Sequence, residues 1–438
     1  MTSPFLQSQL DAHAARAATL PGAGIPWLAR SRSRSVAAVA AAGLPSPRSE
    51  RWKYTPLKSL ESRAVPLAGA ASGEVPVPDV SGPRAVFVDG AFRADLSRLD
   101  GAGDGIEFGS LAQALARGGE GLDGVLARHY EDGAQGFAQL NAALAADGAL
   151  IRVAAGREAA APLHLVFAGG AGDAAAWYAR NVLLVGRDAR LQVVIHHATG
   201  DGRVGNVLNQ VLLHGGARLD TVRVQDGAAG ALLVERTDAR LGEGALLRQW
   251  SLDLGAALAR HDVAVELVGA GAALESRGVF VPRGRQHHET ALDVQHGARD
   301  TRCDLRWRGI ADGRARGVFG GRIVVEAGVD GADARLENKN LLLSPHAEID
   351  TRPVLEIHAD EVKASHGATV GQLDESALFY LRSRGVPPDE ARAMLTFAFC
   401  RGILDTLPWG GLRDTLVERL RAQLPLGTGT GPESGAAS

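Results

Sequence analysis

DARL (Asp188–Leu191), GARL (Gly216–Leu219), GALL (Gly244–Leu247) and GAAL (Gly271–Leu274) recur at steps of 28, 28 and 27 residues. Each copy opens on a turn former, passes a small residue and enters a Val/Leu-rich run such as RLQVVIHH, RLDTVRVQ or LLRQWSLDL. Runs of five or six residues that alternate apolar and polar positions between Gly, Asp and Asn breaks read as β-strands. A sustained period in this range marks a repeat architecture. Strands without intervening helices then predict a β-solenoid, each coil stacking its leucine on the one before. A β-sandwich whose hairpins fall at similar intervals is the competing arrangement, and the regular period favours the solenoid.

Outward from the repeat the texture changes. Residues 1–150 are rich in alanine, leucine and charge, and Ser3–Leu20, Pro26–Leu44 and Leu111–His129 are expected as helices, with a short strand at Ala85–Val88. SERWKYTPL (Ser49–Leu57) reads as an aromatic and basic turn. The β core is placed at 151–372. Beyond it, Asp374 is an N-cap and Gly385 a stop for one helix, Pro387-Pro388-Asp389 opens a second to about Leu404 with Met394, Leu395 and Ala398 on one face, and a third at Leu412–Leu424 stripes Leu412, Leu416, Val417, Leu420 and Leu424. These helices, at 373–425, are available to cover the solenoid's open end or to dock a partner. Residues 426–438 have the composition of a disordered tail. The fold class is therefore mainly β, a parallel β-helix core with α-helical N-terminal and C-terminal regions.

Composition excludes several functions. With 438 residues and a net charge of −3, the chain has no electrostatic signature of a nucleic-acid partner. No apolar run reaches membrane-span length, and Arg30–Leu44 reads as an amphipathic helix in place of a secretion signal. The two cysteines, Cys303 and Cys400, are too few and too far apart for a disulfide framework or a four-thiolate cluster site, which fits a cytoplasmic setting. None of the lysines (Lys53, Lys58, Lys339, Lys363) follows a glycine, so the chain holds no P-loop.

Three groups of residues could carry chemistry. His287, His288, His296 and Cys303 cluster in sequence, but on one strand His288 and His296 would share a face and His287 and Cys303 the other, so a metal hydrolase site competes with plain polar ladder positions. Glu356, His358 and Asp360 alternate with Leu355, Ile357 and Ala359, which reads as a solvated face or a metal-binding row. His366, in SHGATVG, is expected after the last strand and just before the helical region. There an imidazole could serve as a ligand or proton carrier near neutrality, or simply shape a turn.

HHETALDVQH (His287–His296), DGRARGVFGGRI (Asp312–Ile323), ENKNLLLS (Glu337–Ser344), AEIDTRPVLEIHADEVKASHGATVGQLDESALFYLRSRG (Ala347–Gly385) and ERWKYTPL near the N-terminus resemble the SufD scaffold subunits of the Suf iron–sulfur cluster assembly system. The resemblance spans most of the chain. It implies a right-handed β-helix, a complex with the paralogue SufB and the ATPase SufC, and a nascent, transient iron–sulfur cluster at the SufB–SufD interface that this chain does not hold alone. It places His366 at that interface as a candidate transient iron ligand, with no catalytic residue. It also assigns the C-terminal helices, with Phe379, Tyr380, Arg382, Arg384 and Gly385, to SufC docking. SufB itself is a less similar rival, because HGAT stands where HEAT is expected and the cysteines are few. Many members carry a cysteine two residues before the histidine; here Ala364 occupies it, so a thiolate there is not required. A homodimer in isolation is open. From a different class, a β-helix carbohydrate lyase or hydrolase is the alternative, with low aromatic content against it.

Overall fold

The computed structural model describes residues 2–69, 75, 77–78, 80–170 and 173–424, so the tail at 426–438 lies outside it. Strands between Arg84 and Gly371 alternate between a ten-stranded and a nine-stranded sheet, and successive coils pair in parallel, forming a β-solenoid of about eight turns. Leu191, Leu219, Leu247 and Leu274 are direct partners on consecutive coils, and the same rung continues through Cys303, Ala334 and Ala364. The repeat in the sequence is thus an interior ladder in the molecule.

The turn chemistry explains the repeated motif. Asp188, Gly216, Gly244 and Gly271 have φ of 57°, 69°, 62° and 71°, and Asp300 and Gly331 repeat this at 58° and 76°. Left-handed backbone selects glycine, or aspartate whose short side chain bonds locally. At Gly216 a side chain would also collide with the Asp188 carboxylate of the coil before. The alanine that follows (Ala189, Ala217, Ala245, Ala272) is fully buried, and the leucine after it fills the space between the sheets. Burying each such leucine contributes about 1.5–3 kcal/mol.

The interior also holds charge. Glu235 lies at the centre, with Asn209 Nδ2 donating to it at 2.7 Å, His197 Nε2 at 3.1 Å and Arg223 paired to both Glu235 and Asp253. Burial alone would raise the Glu235 carboxyl, but Arg223, His197 and His261 around it hold it well below the usual carboxylate range. Burial, then Arg223, pushes His261 down to about 4.

Each sheet has a cover. Phe5, Leu6, Val39, Trp52, Leu57 and Leu60 pack on the nine-stranded sheet. Its clamp is SERWKYTPL: Arg260 stacks 3.8 Å from the Trp52 ring centre and donates to Thr55 Oγ1 at 2.6 Å and to the Arg51 carbonyl at 2.8 Å. On the ten-stranded sheet, Val224, Trp250, Leu252, Val279 and Ile310 meet Cys400, Ile403, Leu404, Leu416 and Leu420 of the C-terminal helices.

Several expectations need correction. The helix expected at Leu111–His129 is two short ones, Leu111–Ala116 and Asp123–Leu126, because Gly118, Gly119 and Gly121 all take positive φ between them. The helix expected at Ser3–Leu20 ends at Arg16. Residues 1–150 also supply solenoid strands: Arg84–Val88 pairs in parallel with Leu163–Ala168, and Ile106–Ser110 joins the other sheet. Met394 and Ala398 face solvent, and Pro388–Leu404 buries Ala391, Thr396, Cys400, Ile403 and Leu404 instead. Asp374 caps Glu375–Ser383 by accepting from the Ser376 N–H, and Gly385 ends it at φ 87°.

Candidate interface at the open end of the solenoid

The solenoid's two ends differ. At the first, the antiparallel strands Ala91–Phe92 and Ile106–Ser110 close the sheets. At the far end the C-terminal helices lie on the side of the ten-stranded sheet, not across the opening as a covering cap would. Their leucine stripes match the apolar outer positions of that sheet, and burial there takes the helices away from the end. Two strands, Glu348–Ile357 and Lys363–Gly371, are left as the uncovered edges of the two sheets.

His366 lies within the second of these strands, not in a turn beyond it. It pairs in register with Leu336, an interior core residue, so it sits on the face that lines the core in every earlier coil. No further coil follows, and the imidazole is exposed. Ala364 and Val370 share that face. Lys363 N–H donates to the Ala332 carbonyl of the coil before. Alternation then turns the N–H groups of Ala364, His366, Ala368 and Val370 toward the free edge. On the neighbouring edge Pro353 supplies no donor, as prolines on edge strands do. The strand carrying His366 is therefore the edge with unbroken donors.

The exposed apolar side chains gather in two places. Of the seven large ones among the described residues, Val354, Ile357 and Val370 lie on the two edge strands, and Phe379, Tyr380 and Met394 on the helices Glu375–Ser383 and Pro388–Leu404. Phe379 is 72% and Tyr380 58% exposed, on a helix that buries only Leu378. Arg382 and Arg384 are on the same helix and at its end, with Arg384 stacked on Tyr380. Unpaired edge strands with apolar faces, and a thinly anchored aromatic helix, are surfaces built to be covered.

Of the other expected sites, the histidine and cysteine group lies in earlier coils, and the Glu356 row borders this end. His288 Nε2 donates to the Gly255 carbonyl at 2.7 Å, and on the other face of that strand His287 stands 3.8 Å from Glu289. A turn brings His296 within 3.2 Å of Cys303, where burial pushes the histidine down to about 4 and the thiol up to about 12. That pair is neutral and enclosed. The row Glu356, His358, Asp360 is broken, since the strand stops at Ile357 and Glu356 is bound by Arg322 at 2.7 Å. Among the described residues no group of three or more His, Cys, Asp or Glu side chains could hold a metal ion. Both cysteines are buried, and the last strand, Lys363–Gly371, carries one imidazole, that of His366. The sequence reading missed the interior charges. Their only signal was alternation, as Arg223, Glu235 and Asp253 fall on the same strand face as the inward Leu219, Leu233 and Leu247.

The architecture is a β-solenoid with helical flanks and one pair of uncovered edge strands. The chain matches the model of the SUF system FeS cluster assembly SufBD core domain over residues 167–399 and that of the SufBD protein N-terminal region over residues 7–165. It is 31% identical to the iron–sulfur cluster assembly protein SufD of Escherichia coli over 402 residues, covering 88% of this chain and 90% of that one. It is 30% identical to an iron–sulfur cluster assembly SufBD family protein of Synechocystis, covering 85% and 86%. The SufD of Bacillus subtilis is 28% identical over 64% of each chain. This chain belongs to the SufBD family of iron–sulfur cluster assembly proteins, and it is SufD-like.

Proposed function

We propose that this chain is a non-enzymatic scaffold subunit that pairs through its open end with a SufB-type solenoid and offers its C-terminal helices to a SufC-type ATPase in the cytoplasm. The observation that carries this reading is His366: an exposed imidazole on the last, uncovered strand, in the register of the interior rungs. Docking a second solenoid there would satisfy the free N–H groups and cover Ile357 and Val370 in one step. It would also trap His366 between two subunits.

The cluster under assembly is cargo, and this chain contributes one nitrogen to it. With Ala364 in place of a thiol and both cysteines buried, the sulfur ligands and most of the iron ligands come from the partner. His366 then acts as a transient iron ligand or carries a proton for the partner's thiols. Phe379, Tyr380, Arg382 and Arg384, with the turn at Gly385, form the ATPase-docking surface. Because the chain has no P-loop, the energy for moving the two solenoids comes from the docked ATPase. In isolation a second copy of the chain can occupy the same edge as a homodimer.

The test is co-expression of the three subunits with His366→Ala. An intact complex that no longer accumulates the cluster's visible absorption supports a chemical role. An intact complex with wild-type cluster yield removes it.

A further inference from the structure

A cleft of about 430 Å³ lies on the outer face of the nine-stranded sheet, under the N-terminal segment that carries Arg51 and Trp52. It borders the edge strand Glu348–Ile357, whose Arg352, Val354 and Glu356 help to line it. Its floor is a register row across successive strands: Arg236, Asp262, Ala291, Gly320 and Arg352 are consecutive partners. Ala291 and Gly320 keep the middle of that row low. A side chain added at Gly320 would meet nothing nearer than 3.7 Å, and the atom it meets first is a terminal nitrogen of Arg352. The space above Gly320 is therefore open, with a guanidinium at its end.

The charges around the cleft are unequal in their engagement. Arg322 is fixed by Glu356 at 2.7 Å and Asp293 at 3.2 Å, and Arg260 by Asp262 at 2.8 Å. Asp293 is also held by Arg51. The carboxylates of Asp262, Asp293 and Glu356 are thus already bound to arginines, and Glu50 at the exposed lip is 3.7 Å from Arg352. Arg352 is different: its one short bond is from Nη1 to the Glu50 carbonyl at 2.9 Å, its nearest carboxylate is 3.7 Å away, and its Nε is buried without a partner. Tyr54 stacks 5.3 Å beneath it and holds the fork in place. A preorganised guanidinium with spare donors beside a bare floor is a receptor for a planar or tetrahedral oxyanion.

We propose that this cleft binds a small phosphomonoester, the phosphate held by Arg352 and the organic part lying over Ala291 and Gly320. The volume is within the usual range for small-molecule sites and suits a ligand of mononucleotide size. A phosphomonoester dianion presents enough oxygens to accept in parallel from the Arg352 fork, whose nearest carboxylate is 3.7 Å away.

The test is calorimetric titration of the full chain with inorganic phosphate, pyrophosphate and adenosine 5′-monophosphate, at constant ionic strength set by sodium chloride. Saturable binding of the monophosphate is expected. Arg352→Ala should weaken it by about tenfold or more, the loss of one charge-assisted bond. Gly320→Leu, which fills the cleft from its floor, should abolish binding while circular dichroism and Tm stay at wild type. Absence of saturable binding of the monophosphate to the wild-type chain at millimolar concentration overturns the proposal. So does binding that neither substitution weakens.

Discussion

His366 pairs in register with Leu336, so an imidazole stands on the solenoid's last coil where the coil before carries a core leucine. The position is interior by register and exposed only because the stack ends there. Replacing His366 by alanine should therefore leave the isolated chain nearly as stable as before, within about 0.5 kcal/mol as for other surface changes. In the three-subunit complex the same substitution should reduce cluster yield. Thermal unfolding of the single chain and visible absorption of the complex read the two effects separately.

The free-edge donors can be removed without touching the internal ladder. Ala368 turns its N–H outward, away from the preceding coil, by the alternation that starts from the Lys363 bond. Ala368→Pro should weaken association with a second solenoid, while Ser365→Pro, at an inward-bonded position, should unfold the last strand. Sedimentation of the paired subunits, with circular dichroism of each variant alone, distinguishes these results.

Phe379 and Tyr380 are exposed on a helix that contributes one buried residue to the fold. Phe379→Ala and Tyr380→Ala should keep the Tm of the isolated chain, yet cost about 2 kcal/mol each in ATPase binding, the range of an interface hot spot. Surface plasmon resonance with the ATPase subunit measures this directly.

The interior ion cluster should be far less forgiving. Arg223 pairs with Glu235 and Asp253 inside the solenoid, and Arg223→Met leaves both carboxylates buried without it. Stranding a buried charge typically costs about 3–5 kcal/mol. Urea denaturation should show this loss, and the double variant Arg223→Met/Glu235→Gln should recover part of it.

Acid should destabilise the chain before ordinary carboxylates titrate. Burial lowers His261, His288 and His296 to about 4 each, and His164 likewise to about 4. Unfolded, these rings bind protons near the ordinary histidine value of about 6.5. Their contribution is complete above that value and is lost as pH falls from there toward 4, because the unfolded state takes up protons first. Each ring adds a slope of up to about 1.4 kcal/mol per pH unit. The depressed Glu235 carboxyl acts in the same direction at lower pH. Chemical denaturation across pH 4 to 7 should show stability falling steeply on the acid side.

The solenoid was legible because its rule is local. A left-handed turn needs glycine or aspartate, the next residue must be small, and the one entering the strand must fill the core. DARL, GARL, GALL and GAAL state those needs in order, and the φ values at Asp188, Gly216, Gly244 and Gly271 meet them. Helix signals that rest on caps and stripes, such as Asp374, Gly385 and the Leu416–Leu420 face, were legible for the same reason. The helix at Leu111–His129 failed where three glycines outweighed an apolar pattern. The glycine of SHGATVG misled in the opposite way: it suggested a turn, but Gly367 lies inside the last strand.

The sequence by itself determined the period, the turn chemistry and the family resemblance, because each depends on residues near one another in the chain. The tertiary structure decided what the period leaves free: which end is closed, where the C-terminal helices lie, and that His366 shares a rung with Leu336. Register between coils about 30 residues apart is set by the whole stack of parallel pairs, from Leu191 to Ala364. The buried partners of Glu235 and the open floor at Gly320 follow from that register too, since only stacking brings distant strands to one point.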